Sequence, residues 1–205
     1  MRIITALLSA LLLSACVSLL PKPGPAPAMF VLEAGGVARA EGGPVNVVVA
    51  IAPPQGPRTI LGSDLVWRDG DQLAFVADTQ WAARADDALQ TLVTQTLARQ
   101  GRVAAAVESG QARADYEVRW NVLNFEIDGA SMQARFNANV TLVEALSRRV
   151  VASELISAEA PVASRSATVA ADALTRAARE GASRIGLFAA DSAARAEAVV
   201  QRPQQ

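Results

Sequence analysis

The chain has 205 residues, and 51% of them are apolar, so it can bury the core of one ordinary domain. Its 19 lysines and arginines nearly balance its 20 aspartates and glutamates, which excludes the strongly basic character typical of nucleic-acid-binding proteins. The chain has no histidine and only one cysteine. Composition therefore excludes histidine-based catalysis, histidine-ligated metal sites, intrachain disulfides and cysteine-cluster metal sites.

The first residues are typical of a bacterial lipoprotein signal peptide. Arg2 precedes a nearly continuous apolar stretch over residues 3–13, which is shorter than the about 20 residues that a membrane-spanning helix needs. The sequence LSAC at residues 13–16 matches the lipobox, in which a diacylglyceryl thioether forms on the cysteine before cleavage. We therefore expect residues 1–15 to be removed and Cys16 to be lipidated. The alternatives are an ordinary secretory signal in which the cysteine occurs by chance and a buried core helix.

The residue after the cysteine and the segment that follows it predict where the domain is held. Aspartate at this position retains a lipoprotein in the inner membrane in enterobacterial-type sorting, so Val17 favours the outer membrane, with the protein facing the periplasm. Residues 16–28 contain four alternating prolines, which favour an extended polyproline II conformation. We interpret this segment as a tether between the acyl chains and the domain, and a proline-rich recognition peptide is the alternative.

Beyond the tether, the first half of the chain predicts four strands. Residues 29–32 form a short strand, and residues 45–52 are rich in valine, as expected of a buried central strand. Residues 65–68 and 72–76 flank the sequence Asp-Gly-Asp and predict a β-hairpin. An acidic turn can also suggest a cation site, but the spacing of an EF-hand loop is absent.

A strong helical pattern follows over residues 79–100, where apolar residues recur at helical spacing. Asp78 or Thr79 is the predicted N-cap, and Gly101 is the predicted left-handed residue after the last turn. Trp81 is predicted to lie on the apolar face of this helix and to dock it on the sheet.

The second half predicts more strands and a second helix. Strands are expected at residues 103–107, 115–128, 132–142 and 148–158. Within the second of these, the apolar positions change from even to odd numbers, which predicts a β-bulge near residues 121–124.

The second helix is predicted over residues 166–189, where Gly181 marks close packing or a kink. The domain is predicted to span residues 29–191, followed by a flexible C-terminal tail over residues 192–205. The expected fold class is α+β, with a mainly antiparallel mixed sheet and two amphipathic helices packed on one face.

Several short segments, in this order, resemble a known family. They are FVL at residues 30–32, the valine-rich strand at 47–53, LVWRDG at 65–70, WA at 81–82, ADY at 114–116 and NFE at 124–126. Together with the lipobox and the tether, they resemble the ABC-type transport auxiliary lipoproteins, which include the Pqi-type outer-membrane lipoproteins. The resemblance spans residues 28–190. It departs from the family at residues 61–64, where many relatives carry a Leu-Asp-Arg-like stretch.

The resemblance implies an auxiliary subunit that works beside MCE-domain proteins, which move lipids or hydrophobic compounds between two membranes. It implies protein–protein contact with an MCE-domain partner, connecting the inner- and outer-membrane parts, and it leaves assembly into a homo-oligomer open. The alternative function is a stand-alone periplasmic carrier that binds lipid in its own apolar pocket.

Neither a cofactor nor a metal is expected, and the resemblance to the family implies no catalytic residues in this chain. An enzyme would have to work without histidine, and the only lysine, Lys22, lies in the tether. We therefore expect a binding protein rather than an enzyme.

Two sets of side chains are candidates for ligand contact. The tryptophans are candidates for stacking on a ligand or, alternatively, for the core. The arginines are candidates for gripping phosphate headgroups or, alternatively, are solvated surface residues. The two sets are Trp67, Trp81 and Trp120, and Arg58, Arg68 and Arg135.

Overall fold

The computed structural model describes residues 26–201. The predicted signal peptide, Cys16 and most of the tether lie outside the described residues, as do the last four residues. The strands are β1 (Ala28–Phe30), β2 (Val45–Ile51), β3 (Asp64–Asp69), β4 (Gln72–Trp81), β5 (Val103–Glu108), β6 (Tyr116–Asp128), β7 (Gln133–Glu144) and β8 (Val150–Pro161). The helices are α1 (Ala85–Gln100) and α2 (Ala167–Val200).

The eight strands form one mixed sheet. The order β1-β4-β3-β6-β2-β5 describes one path through it, while β7 pairs with the other edge of β6 and β8 pairs with β7. The longest ladders, β6 with β7 and β7 with β8, are antiparallel, whereas β2 pairs in parallel with β5 and β6. Both helices pack against the sheet and against each other. The predicted α+β fold with a mainly antiparallel mixed sheet is confirmed.

The predicted bulge in β6 is present. Every second residue from Tyr116 to Val122 is buried, and the register with β7 then shifts between Val122 and Asn124. Beyond the shift, Phe125 and Ile127 are buried instead. Because side chains alternate along a strand, the extra residue keeps the apolar positions of both halves of β6 on the same face.

The predicted hairpin is also present. Asp69 pairs with Gln72 around a two-residue turn, and Gly70 has a positive φ of 60°. Asp-Gly and Gly-Asp steps suit such turns because the turn residues need left-handed backbone angles.

The start of the first helix was predicted wrongly. The helix begins at Ala85 rather than at residue 79, and Trp81 is the last residue of β4. The backbone N–H of Trp81 donates to the carbonyl of Ser63 at 2.6 Å, which holds it in the sheet. Neither Asp78 nor Thr79 is the cap, because residue 84 occupies the N-cap position.

The end of the first helix agrees with the prediction. Gly101 follows the last turn with φ of 70° and ψ of 22°, and its N–H donates to the carbonyl of Ala98. Glycine takes this left-handed conformation without the steric penalty that a β-carbon imposes.

The second helix is longer than predicted. Ser166 caps it by accepting a hydrogen bond from the N–H of Val169, and the helix ends at Val200 rather than at residue 189. Ser192 and Ala193 are buried, so the predicted flexible tail is wrong for residues 192–200. The alanine-rich composition of this stretch favours a helix.

Polar contacts hold the last turns of α2 on the sheet. Arg102 forms an ion pair with Asp191 at 2.9 Å, and the hydroxyl of Tyr116 donates to Glu197 at 2.8 Å. Burial, followed by the neighbouring Glu197, raises the pKa of Tyr116 to about 12, so its hydroxyl stays protonated and can donate at neutral pH.

Gly181 marks close packing, one of the two predicted readings. A β-carbon at this position would overlap the ring of Phe136 on β7, and a β-carbon at Gly186 would overlap the side chain of Gln100 on α1. The two glycines therefore let α2 approach the sheet and the first helix closely.

The first prediction concerns Trp81, which is 2% exposed and stacks on Phe125 with ring centres 5.7 Å apart. Trp81→Ala should lower the free energy of unfolding by about 3–5 kcal/mol, since it leaves a large cavity at the end of β4. Urea unfolding followed by circular dichroism measures this change. Leu146→Ala is the control, because Leu146 is 86% exposed. A loss below about 1 kcal/mol for Trp81→Ala would contradict the packing described here.

Candidate functional site

The three candidate tryptophans are all part of the core. Trp67, Trp81 and Trp120 are 6%, 2% and 4% exposed. The guanidinium of Arg165 lies over the ring of Trp67 at 4.8 Å from its centre, and Trp120 donates its indole N–H to the carbonyl of Ala52 at 2.8 Å. Their faces are occupied by protein atoms, so the structure favours the core interpretation over ligand stacking.

Arg68 is engaged in an internal ion pair. Its guanidinium makes two hydrogen bonds to the carboxylate of Glu126, at 2.6 and 2.9 Å, and this carboxylate is almost fully buried. Asn124 also donates to Glu126, and Asn137 donates to Asn124. The hydrogen bonds to Glu126 raise the pKa of Arg68. The pair neutralises a carboxylate that would be costly to bury alone.

Arg135 is also paired, whereas Arg58 is not. Arg135 lies 2.5 Å from Asp128 and 3.4 Å from Glu159. Hydrogen bonds from the backbone N–H groups of Ser131 and Ala130 lower the pKa of Asp128. Arg58 is exposed and forms no ion pair within residues 26–201. The three arginines therefore do not converge on one site.

The surroundings of Arg68 and Arg135 do not favour an anion. Arg135 is the cross-strand neighbour of Glu126, the partner of Arg68, so the three side chains share one face of the sheet. With Asp128 and Glu159, the group holds two positive and three negative charges. A phosphate headgroup would meet net negative charge there.

The second prediction tests the ion pair. Arg68→Ala should lower the free energy of unfolding by about 3 kcal/mol, because it leaves the Glu126 carboxylate buried without its partner. Adding Glu126→Gln should restore part of that loss, since the remaining group is then neutral. Urea unfolding of the single and double variants measures both values. Equal stability of wild type and Arg68→Ala would show that Glu126 is solvated.

A depression of about 670 Å³ lies on the face of β6 and β7 that points away from the helices. Polar side chains line much of it, and Pro53 and Pro54 form one wall. Its two charged residues, Glu117 and Arg119, form an ion pair at 2.8 Å. The depression can hydrogen-bond a polar group, but it holds no pair of nucleophile and base that would suggest catalysis.

Within residues 26–201, no group of three or more acidic, histidine or cysteine side chains is arranged to hold a metal ion. Neither α1 nor α2 combines the length and the apolar character that a helix needs to cross a membrane.

Part of the exposed apolar surface lies on β1 and β4. Met29 is 62% exposed, Leu73 39% and Phe75 55%. On β3, the cross-strand neighbours of Phe75 and Leu73 are Val66 and Arg68. Arg68 contacts Glu126 on the face of the sheet away from the helices, so Leu73 and Phe75 lie on that face as well. We call Leu73, Phe75 and the unpaired side of β4 over Gln72–Asp78 the β4 edge surface.

The backbone of this segment is also open. Within the described part of the chain, β1 pairs with β4 only at residues 79–81, and no strand pairs with the same side of β4 before that. Sequence analysis missed this surface, because alternating apolar residues in a hairpin strand look the same whether they face the core or solvent.

Comparison with known proteins identifies the family. A model of the ABC-type transport auxiliary lipoprotein component matches residues 30–186. The chain belongs to the ABC-type transport auxiliary lipoprotein family. The family suggested by the short sequence segments is thus confirmed, and the protein is a lipoprotein of a transport-associated family. A search of curated proteins finds no significant relative.

Solved structures share the fold. A protein of Xanthomonas campestris from the DUF330 family is 22% identical, with a TM-score of 0.75 over 83% of this chain and 99% of that one. A second structure, of an uncharacterized protein, is 12% identical, with a TM-score of 0.64 over 80% of this chain and 99% of the other. The PelC dodecamer of Paraburkholderia phytofirmans is 16% identical over 74% of this chain and 96% of that one, with a TM-score of 0.45. At that score its assembly carries no argument for this chain.

Proposed function

We propose that this auxiliary lipoprotein is anchored in the outer membrane and serves an MCE-type ABC transport system for lipids or hydrophobic compounds. The observation that carries the proposal is the match to the transport auxiliary family across residues 30–186. In this role the periplasmic domain binds an MCE-domain protein and so connects the parts of the system in the two membranes.

The anchor is the lipidated Cys16. Its position at the end of the lipobox, directly after the apolar stretch, supports acylation, and Val17 supports sorting to the outer membrane. Two or more acyl chains give stable anchoring because each buried methylene contributes about 0.8 kcal/mol. The tether over residues 16–28 then gives the domain reach toward a partner.

Binding, rather than catalysis, is the proposed activity of the domain. The charged side chains near the candidate sites are satisfied by one another, as in the pairs Arg68–Glu126 and Glu117–Arg119. The β4 edge surface, in contrast, presents apolar side chains and unpaired backbone groups. A surface of this kind fits a protein partner.

The third prediction tests the partner. The full-length lipoprotein, purified with an affinity tag from detergent extracts of its own host, should recover an MCE-domain protein identified by mass spectrometry. An unrelated tagged outer-membrane lipoprotein is the control for nonspecific recovery. Recovery of this lipoprotein alone, in a detergent that preserves ABC transporter complexes, would contradict the proposed partner.

The same preparations test the anchor. Mass spectrometry of the mature N-terminus should show a cysteine at position 16 carrying diacylglycerol and an N-acyl chain. Cys16→Ala should abolish both the modification and the lipoprotein-type cleavage. Fractionation alone is a weaker measurement, because an uncleaved signal peptide also holds protein at a membrane. An unmodified Cys16 in the wild-type protein would refute the anchor without bearing on the partner.

A further inference from the structure

We infer that the β4 edge surface receives an extended segment of the protein partner, which adds to the sheet as a strand and carries lysine or arginine beside its apolar residues. The inference deepens the proposed function, on which it rests, by assigning a docking surface and the chemistry of the segment that fits it.

The backbone of β4 supplies the first argument. Asp69 and Gln72 flank a two-residue turn and form a hydrogen-bonded pair, so the hydrogen-bonded pairs alternate from there along the hairpin. Leu73 and Phe75 belong to the other class of pair. Their N–H and C=O groups point away from β3, toward the side of β4 on which the described chain places no strand before Thr79.

The edge of the sheet formed by β8 is partly covered by side chains of α2. On β8, Arg184 donates to the carbonyl of Ser157 at 2.6 Å, and Arg176 donates to the carbonyl of Pro161 at 2.9 Å. These side chains from α2 occupy edge acceptors that could otherwise pair with another strand. Over Gln72–Asp78, the Thr79 hydroxyl donates to the carbonyl of Ala77 at 2.9 Å, whereas the described part of the chain places no side-chain hydrogen bond on the backbone of Leu73 or Phe75.

The side chains supply the second argument. Leu73 and Phe75 stand on the same face of β4 at alternate positions, which is the spacing at which an added strand presents its own side chains. Met29 on β1 neighbours Gln80, whose amide donates to Asp64 on the same face, so the exposed apolar surface extends toward the start of the domain. An apolar residue on an added strand can pack beside Phe75.

The charged residues around β4 indicate which kind of partner segment fits this surface. Residues 69–80 contain three aspartates and no lysine or arginine. Asp69 is paired with Arg165 at 3.1 Å, while Asp71 and Asp78 form no ion pair in the described part of the chain. Negative charge at both ends of the exposed edge disfavours an anionic lipid surface and favours a partner segment flanked by basic side chains.

Site-specific photo-cross-linking tests the inference. The full-length protein is expressed in its own host with p-benzoylphenylalanine in place of Phe75, and in a control with the same residue in place of Leu146. Irradiation should give an adduct at position 75, but not at position 146, with a subunit of the transport system. Mass spectrometry should map the adduct to a segment with alternating apolar residues and nearby lysine or arginine.

Two further variants separate strand addition from simple proximity. Leu73→Pro removes an N–H that β3 does not use, so the fold should survive and the adduct should fall about fivefold. Asp71→Lys combined with Asp78→Lys should reduce the adduct similarly, whereas Glu154→Lys on β8 should leave it unchanged. Thermal melts followed by circular dichroism confirm that each variant is folded.

The remaining outcomes overturn the inference. They are an adduct with a second copy of this chain, with the chain's own residues 1–25 or with lipid, or no adduct at all. An adduct that Leu73→Pro leaves unchanged also overturns strand addition. If the MCE-domain protein still co-purifies in these cases, the proposed function stands and only the docking surface fails. If the MCE-domain protein does not co-purify with the wild-type lipoprotein, the proposed function itself fails.

Discussion

The fold depends on β6, the strand that has three partners. One of its edges pairs with β7 along its whole length, while the other edge pairs with β2 near Tyr116 and with β3 near Ile127. Both halves must turn their apolar side chains to the helices, although the apolar positions change from even to odd numbers along the strand. The single extra residue between Val122 and Asn124 reconciles these requirements.

This branching also creates the surface on which the proposed function depends. Because β2 and β3 share one edge of β6, the hairpin of β3 and β4 forms a separate branch of the sheet, in which β3 is buried and the outer side of β4 pairs with the three residues of β1. The body of the sheet is covered by α2, which Gly181 brings close to Phe136. In the described part of the chain, the outer side of β4 at Leu73 and Phe75 has no strand partner, so a stable core and an open docking surface coexist in one sheet.

Local patterns in the sequence were enough for much of the fold. The hairpin followed from turn chemistry at Gly70, the end of α1 from Gly101, and the bulge from the change of parity in β6. Trp81 misled the prediction, because residues 81 and 85 are both apolar and lie one helical turn apart, although Trp81 belongs to β4. The hydrogen bond to Ser63 that keeps it in the strand is a contact that spacing does not reveal.

The β4 edge surface could not be predicted from local patterns in the sequence. Long-range contacts join residues far apart in the sequence, and no local pattern predicts them. Examples are the parallel pairings of β2 and the ion pair between Arg68 and Glu126. The exposure of Phe75 depends on which side of β4 stays unpaired, and this follows only from the arrangement of all eight strands. The family, in contrast, was recognisable because its short segments recur in a fixed order.

The most direct test of this account is the stability of a variant that lacks Leu123, the extra residue of the bulge. Leu123 is 40% exposed, so Leu123→Ala should unfold at nearly the wild-type urea concentration and serves as the control. Deletion of Leu123 should remove the bulge, join Val122, Asn124 and Phe125 in an unbroken ladder with β7 and leave Phe125 facing the helices, so this variant should still unfold cooperatively. Deletion of Arg119, which has a partner in the regular part of the ladder, should instead turn Trp120 and Val122 away from the helices and abolish cooperative unfolding. If deletion of Leu123 abolishes cooperative unfolding as deletion of Arg119 does, Leu123 is not the extra residue that the bulge accommodates and the account is wrong.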